Sequence, residues 1–196
     1  MNCTKEKWKR VLFSSTLEGK NESHKIAYIA VMTALIVVAN MFFEFKFAET
    51  QFSLTLVISA LTGFMIGPLF GFAACFLGDL VGFLYHSAGY AYLPWIGISM
   101  GLTATIAGLC GELPFAFKGG KYIKLALVSL LSFAVCTVAI NTTAFWLLYA
   151  KGVPYTTYLI SRLFVQGQIW NSLFNYALLF IAVPALAKVK PLGLRL

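Results

Sequence analysis

Six apolar stretches, at 26–43, 53–66, 71–86, 94–113, 124–148 and 157–187, take up most of this chain. A helix that crosses the hydrocarbon core of a bilayer needs about 20 mostly apolar residues, and fewer where protein surrounds it. The second and third stretches are short, and the last exceeds the hydrocarbon thickness and is expected to extend past it. Inside lipid, only helices and closed barrels satisfy every backbone polar group. No run of segments alternates strictly with a period of two, which sets a β-barrel aside. The sequence therefore predicts an all-α membrane protein with six transmembrane helices.

Composition agrees with that solvent. Hydrophobic residues make up 60% of the 196 and charged residues only 11%, against about 25% charged in a soluble domain. Breakers divide the spans: Gly67-Pro68 predicts a tight turn between the second and third, and Pro94, Pro114 and Pro154 mark other boundaries. The expected organisation is a basic tail at 1–25, a six-helix domain at 26–187 and a short tail at 188–196. The first span is expected to be permanent and not a cleaved signal.

Charge orients the spans. Six lysines and arginines precede the first, three lie at 118–124 and three at 188–195, so twelve of the fifteen fall on one side of a six-span topology. Positive residues favour the cytoplasmic side, so both ends are expected there, in a multi-pass protein of a bacterial plasma membrane. The net charge of +8 reflects this bias and attraction to anionic lipid, and calls for no nucleic acid. Cys3, Cys75, Cys110 and Cys136 lie far apart without metal spacing and read as packing thiols. No phosphate-binding glycine loop appears, and no metal or other cofactor is expected.

Polar residues inside the spans carry the chemistry. Asp79 interrupts "GFAACFLGDLVGFLYHSAGYAYLPW" at 71–95. An ionisable group at such depth faces a protein interior or a wet cavity and takes a partner. Arg162, at similar depth in the last span, is the expected partner, with Asn141 or backbone groups as alternatives. Arg162 and Gln166 share one helical face of that span, and Gln168, Asn171 and Asn175 another. Three outer segments combine rings with polar groups: 43–52 with Lys46, 86–95 with His86, Tyr90, Tyr92 and Trp95, and 145–155 with Trp146. Such rings form an interfacial belt, or together a pocket that stacks a flat ligand.

Gly97-Ile98-Ser99-Met100-Gly101 has the form of a hydrolase nucleophile turn. It lies within an apolar run, and the only histidines are His24 and His86. Close helix packing through small residues explains it better. The same packing pattern recurs at Ala30-xxx-Ala34, Gly63-xxx-Gly67-xxx-Gly71 and Ala74-xxx-Gly78-xxx-Gly82.

Taken in order, these segments resemble the S component, the substrate-binding membrane subunit, of energy-coupling factor (ECF) vitamin transporters, and most closely the folate type. The resemblance rests on Ala30-xxx-Ala34, on Gly67-Pro68-Leu69-Phe70-Gly71 followed by Gly78-Asp79-Leu80-Val81-Gly82, on Gly89-Tyr90-Ala91-Tyr92-Leu93-Pro94, and on "NTTAFWLLYAKGVPYTTYLISRLFVQ" at 141–166. It implies the S-component fold and a subunit that binds folate or a related vitamin outside the cell. It also implies partners, a transmembrane T component and two cytoplasmic ATPases, with Ala30 and Ala34 on the docking face. For a folate-like ligand it implies that Tyr90, Tyr92, Trp95 and Trp146 hold the ring. Asp79, Asn141 and Gln166 would bond its edge, Lys46 or Arg162 would neutralise a carboxylate, and His86 would belong to the same outer pocket. Pantothenate and a queuosine precursor are alternative ligands. A proton-coupled secondary transporter working through Asp79 is a further alternative, without an inverted repeat to support it.

Overall fold

A computed structural model describes residues 14, 17, 20–47, 50–85, 91–115 and 119–189. Helix α1 spans Glu22–Phe42. A short hairpin follows, β1 at Glu44–Phe47 and β2 at Thr50–Ser53, with Phe45 opposite Phe52 and Lys46 opposite Gln51. Helix α2 (Thr55–Ile66), α3 (Pro68–Tyr85) and α4 (Pro94–Gly111) come next. Helix α5 covers Gly120–Tyr149 and widens to a π-helix over Phe133–Thr142. Helix α6 is short, an α segment Tyr155–Ile160 continuing as a π segment Ser161–Val165. Helix α7 spans Gln168–Leu186.

Five of these helices (α1, α3, α4, α5 and α7) are long and apolar enough to cross a membrane, and α2 is a shorter apolar helix. The all-helical membrane architecture expected from the sequence is therefore present. The hairpin was not expected; 43–52 read only as an outer loop. The last expected span needs correction. It does not run unbroken from 157 to 187, because Gly167 adopts a left-handed φ of 71° and separates α6 from α7. Such a φ suits glycine and ends a right-handed helix.

The turn between α2 and α3 matches expectation. Gly67 alone joins them with φ 96°, and Pro68 opens α3, where its missing N–H costs nothing. The centre of the bundle is built by α4 packed on α3 and α2, and by α1 packed on α3. Small residues make this possible. A Cβ on Gly63 would land on the Ala104 carbonyl, and one on Gly108 would come within 2.7 Å of the Pro68 nitrogen. Lipid tails give apolar side chains little reason to associate, so close backbone approach supplies the packing.

The two ends of the bundle differ. Leu17 is fully buried, and the Ser14 hydroxyl donates to the Phe64 carbonyl at 2.9 Å. Tyr28, Met65 and Leu186 line one groove, so the start of α1, the end of α2 and the end of α7 meet at the same end. Lys124, buried in α5, donates to the Gly111 carbonyl at 2.7 Å and caps α4 there. The hairpin lies at the opposite end. The Ser53 amide donates to Asn171 Oδ1 at 3.3 Å, tying β2 to α7.

Candidate functional site

At the hairpin end lies a cavity of about 130 Å³. Its polar lining comes from seven elements: Asn40 of α1, Ser53 of β2, Thr55 of α2, Asp79 of α3, Ser99 and Thr103 of α4, Thr137 and Asn141 of α5, and Gln168 and Asn171 of α7. The apolar part includes Leu56, Ile96 and Met100. The π segment of α5 contributes Cys136, Thr137 and Asn141 together. Its wide turn is recorded in the bond from the Thr142 hydroxyl to the carbonyl of Thr137, five residues back. π-Helical turns recur at functional sites.

Asp79 sits at the edge of this cavity, only 7% exposed. The expected pairing with Arg162 is not formed. Asn40 Nδ2 donates to Asp79 Oδ1 at 3.0 Å, and the Tyr92 hydroxyl donates to Oδ2 at 3.0 Å. The reason is geometric. The glycine face of α3 lets α1 approach so closely that a Cβ on Gly82 would meet the Asn40 Cβ at 2.8 Å and one on Gly78 the Ile36 Cγ2 at 2.7 Å. That approach brings Asn40 to Asp79. Arg162 lies in α6, beyond the Gly167 break, with its guanidinium stacked 4.1 Å from the Phe145 ring centre.

Tyr92 lies just outside the spans, ahead of α4. Burial first, then the charge of Asp79 and the hydrogen bond to it, push its phenol well above the usual range. It therefore remains a donor at any physiological pH. Tyr92 and Asp79 also line a second, adjoining cavity of about 120 Å³ with Phe83, Leu93 and Ile96.

Asn141 is the most telling polar group. Its Nδ2 donates to the Ser99 hydroxyl at 3.0 Å, while its Oδ1 is buried without a hydrogen-bond partner. A buried acceptor left unmade costs about 1–3 kcal/mol. It stands in a cavity wall, where a ligand N–H would satisfy it. Ser99 is committed to packing: its hydroxyl accepts from Asn141 and reaches the Cys136 carbonyl at 3.5 Å. Gly97 and Gly101 press against Asp79, Phe76 and Phe72 of α3. The small-residue reading of that pentapeptide fits, and the hydrolase reading finds no base beside Ser99 among the described residues.

The remaining expected site residues are distributed as follows. Trp95 packs edge-on to Phe145 with ring centres 6.0 Å apart, so Trp95, Phe145 and Arg162 form one cluster beside the cavity rather than within its lining. Trp146 donates its indole N–H to the Val153 carbonyl at 2.7 Å and packs edge-on to Tyr155, which fixes the turn between α5 and α6. Gln166 caps the π segment of α6 and is exposed, outside the cavity's lining. Lys46 lies in β1, and its side chain is outside the described residues, as are His86 and Tyr90. Ala30 and Ala34 are exposed on α1. Sequence reasoning passed over Asn40, Ser53, Thr103 and Thr137. A single hydroxyl or amide in an apolar run carries no periodic signal, and only the packing shows that these converge.

Residues 20–190 match the family model described as ECF-type riboflavin transporter, S component. No curated protein matches. Among solved structures, the crystal structure of FolT bound with folic acid is similar, with a TM-score of 0.62 and 21% identity, over 79% of this chain and 89% of that one. At that identity the likeness concerns the fold.

Proposed function

The chain belongs to the family of S components of ECF-type riboflavin transporters, and on that premise we propose that it captures a vitamin with a flat, uncharged, hydrogen-bonding ring, riboflavin first. The family is one of membrane-embedded transporter subunits, not of enzymes. The single observation that carries the ligand chemistry is the unpartnered Asn141 Oδ1 in a wall of amides and hydroxyls. Among the described lining residues the one charged group is the Asp79 carboxylate. A carboxylate vitamin entering beside it would meet repulsion and no cation. An imide or amide edge instead offers an N–H to Asn141 and carbonyls to Asn40, Gln168 or the hydroxyl of Thr137. The enclosed 130 Å³ is smaller than a typical ligand site of about 300–1,000 Å³. A ligand seated there would place the polar edge of its ring in the cavity and project the rest outward.

Folate is the second reading, supported by the likeness in fold to FolT. Its pterin presents a similar edge. Its glutamate would then need a cation outside the cavity, and Arg162 on Phe145 is the nearest described one to the aromatic cluster. In either case the chain has no engine of its own: both termini are cytoplasmic, the cavity opens outward, and transport requires a T component and two ATPases.

Titration of the purified chain with riboflavin, followed by quenching of flavin fluorescence, tests the reading against folate in parallel. Tight riboflavin binding that falls about tenfold or more in Asn141→Ala is expected, in line with one lost buried hydrogen bond. Tight folate binding without riboflavin binding selects the second reading. Sustained uphill uptake of either vitamin by the chain alone in vesicles would refute the S-component role.

A further inference from the structure

At the end of the bundle remote from the candidate cavity, a second groove runs between α1, α2 and the last turn of α7. Ala27, Tyr28, Val31, Leu35, Met65 and Leu186 form much of its wall, which presents no polar surface, and it holds about 390 Å³. Asn40, at the vitamin cavity, stands twelve residues further along α1 than Tyr28, roughly 18 Å at 1.5 Å per residue. The two sites are therefore separate.

The groove has a cationic rim. Lys20 Nζ donates to the Tyr28 hydroxyl at 2.9 Å and stands 4.2 Å from the centre of its ring. Among the described residues no carboxylate pairs with Lys20; the one ion pair there joins Lys25 to Glu22. Lys188 is exposed two residues beyond Leu186. An oily slot therefore opens beneath an ammonium with no carboxylate partner among the described residues, at the end of the bundle where α1 begins and α7 ends. At roughly 30 Å³ per group the size of a water molecule, the slot accommodates roughly a dozen methylenes, most of one acyl chain.

We propose that this groove binds one acyl chain of an anionic phospholipid, with the lipid phosphate seated on Lys20. The apolar wall holds the chain, and the ammonium selects the head group. A lysine near an anionic lipid surface favours it by about fivefold. The site adjoins Ala30 and Ala34, exposed on the same helix, so the bound lipid borders the expected docking face.

Native mass spectrometry of the full chain in detergent, with equal phosphatidylglycerol or phosphatidylcholine of matched chains, tests this. The phosphatidylglycerol adduct is expected to be about fivefold more abundant, and Lys20→Gln to bring the two lipids to parity. Ala27→Trp, which fills the slot, should remove the retained lipid while vitamin binding persists. Equal adducts of both lipids on the unaltered chain would overturn the proposal, as would a phosphatidylglycerol preference that survives Lys20→Gln. If Ala27→Trp does not fold, Lys20→Gln, a change at the rim, still decides. Crosslinking of an Ala27→Cys variant to a T component, with no lipid preference, would assign the groove to that protein instead and overturn the proposal.

Discussion

Asp79→Asn separates the two roles a buried carboxylate can have. In the wild type each carboxylate oxygen accepts one bond at 3.0 Å, from Asn40 and from Tyr92. Hydrogen bonds to a charged group contribute about 1.5–3 kcal/mol each. The asparagine has the same shape; its oxygen still accepts from Asn40, and its NH₂ bonds Tyr92 only if the phenol turns from donor to acceptor. Both bonds then lose their charge assistance. Against this, the neutral amide escapes the desolvation penalty of a carboxylate that is only 7% exposed. With the two donors so close, the bonds should win by about 1–3 kcal/mol net. If that energy holds Asn40 and Tyr92 at the cavity, riboflavin affinity falls about five- to 150-fold at 1.4 kcal/mol per decade. The assay is a double-mutant cycle with Tyr92→Phe, read by flavin fluorescence and by thermal melting. The double variant should cost little more than the worse single one, a coupling of at least about 1 kcal/mol. Coupling below about 0.5 kcal/mol, or a melting temperature raised by Asp79→Asn, would refute the view that these three groups act as one unit.

Gly63→Ala should destabilise the bundle by about 3 kcal/mol or more, because its Cβ meets a backbone carbonyl of α4. Gly71→Ala, whose nearest neighbour would be the Gly63 Cα at 3.2 Å, should cost clearly less, and melting curves in detergent order the two. The Tyr92 phenol is pushed up by burial and by Asp79, so the stability its proton contributes is complete below the unfolded value near pH 10 and is lost only as pH rises further. The melting difference between wild type and Tyr92→Phe should accordingly stay constant from about pH 7 to 9.5; a decline within that range would contradict the sign. Ala30→Trp on the exposed face of α1 should abolish co-purification with the T component and ATPases while leaving vitamin affinity within about twofold.

Much of this architecture was legible in the sequence, because the demands of lipid are severe. Apolar length placed the spans, and the Gly67-Pro68 break and the glycine faces of α3 and α4 were read as they stand. Gly167 was overlooked: one glycine in a long apolar run gives no composition shift, yet its left-handed φ moves Arg162 onto a separate helix. Within the candidate site, Asp79, Tyr92 and Asn141 were visible as polar residues out of place. Their partners were not, since Asn40 and Ser99 lie 39 and 42 residues from the groups they bond. Depth alone pointed to Arg162; only the close approach of α1 to α3 selects Asn40.

The covers of the candidate cavity are each tied by one side-chain hydrogen bond. The hairpin is joined to α7 through the Ser53 amide, and the segment ahead of α4 through the Tyr92 hydroxyl. Beside these bonds β2 packs on α7 and the Tyr92 ring on Phe83, and loosening either contact costs less than parting α3 from α4, whose glycine faces meet over most of their length. Entry from outside can then proceed by brief local loosening while the glycine-packed helices stay rigid. The arrival rate of the ligand would be governed by diffusion and by these two latches, and its residence time by the amides beneath them.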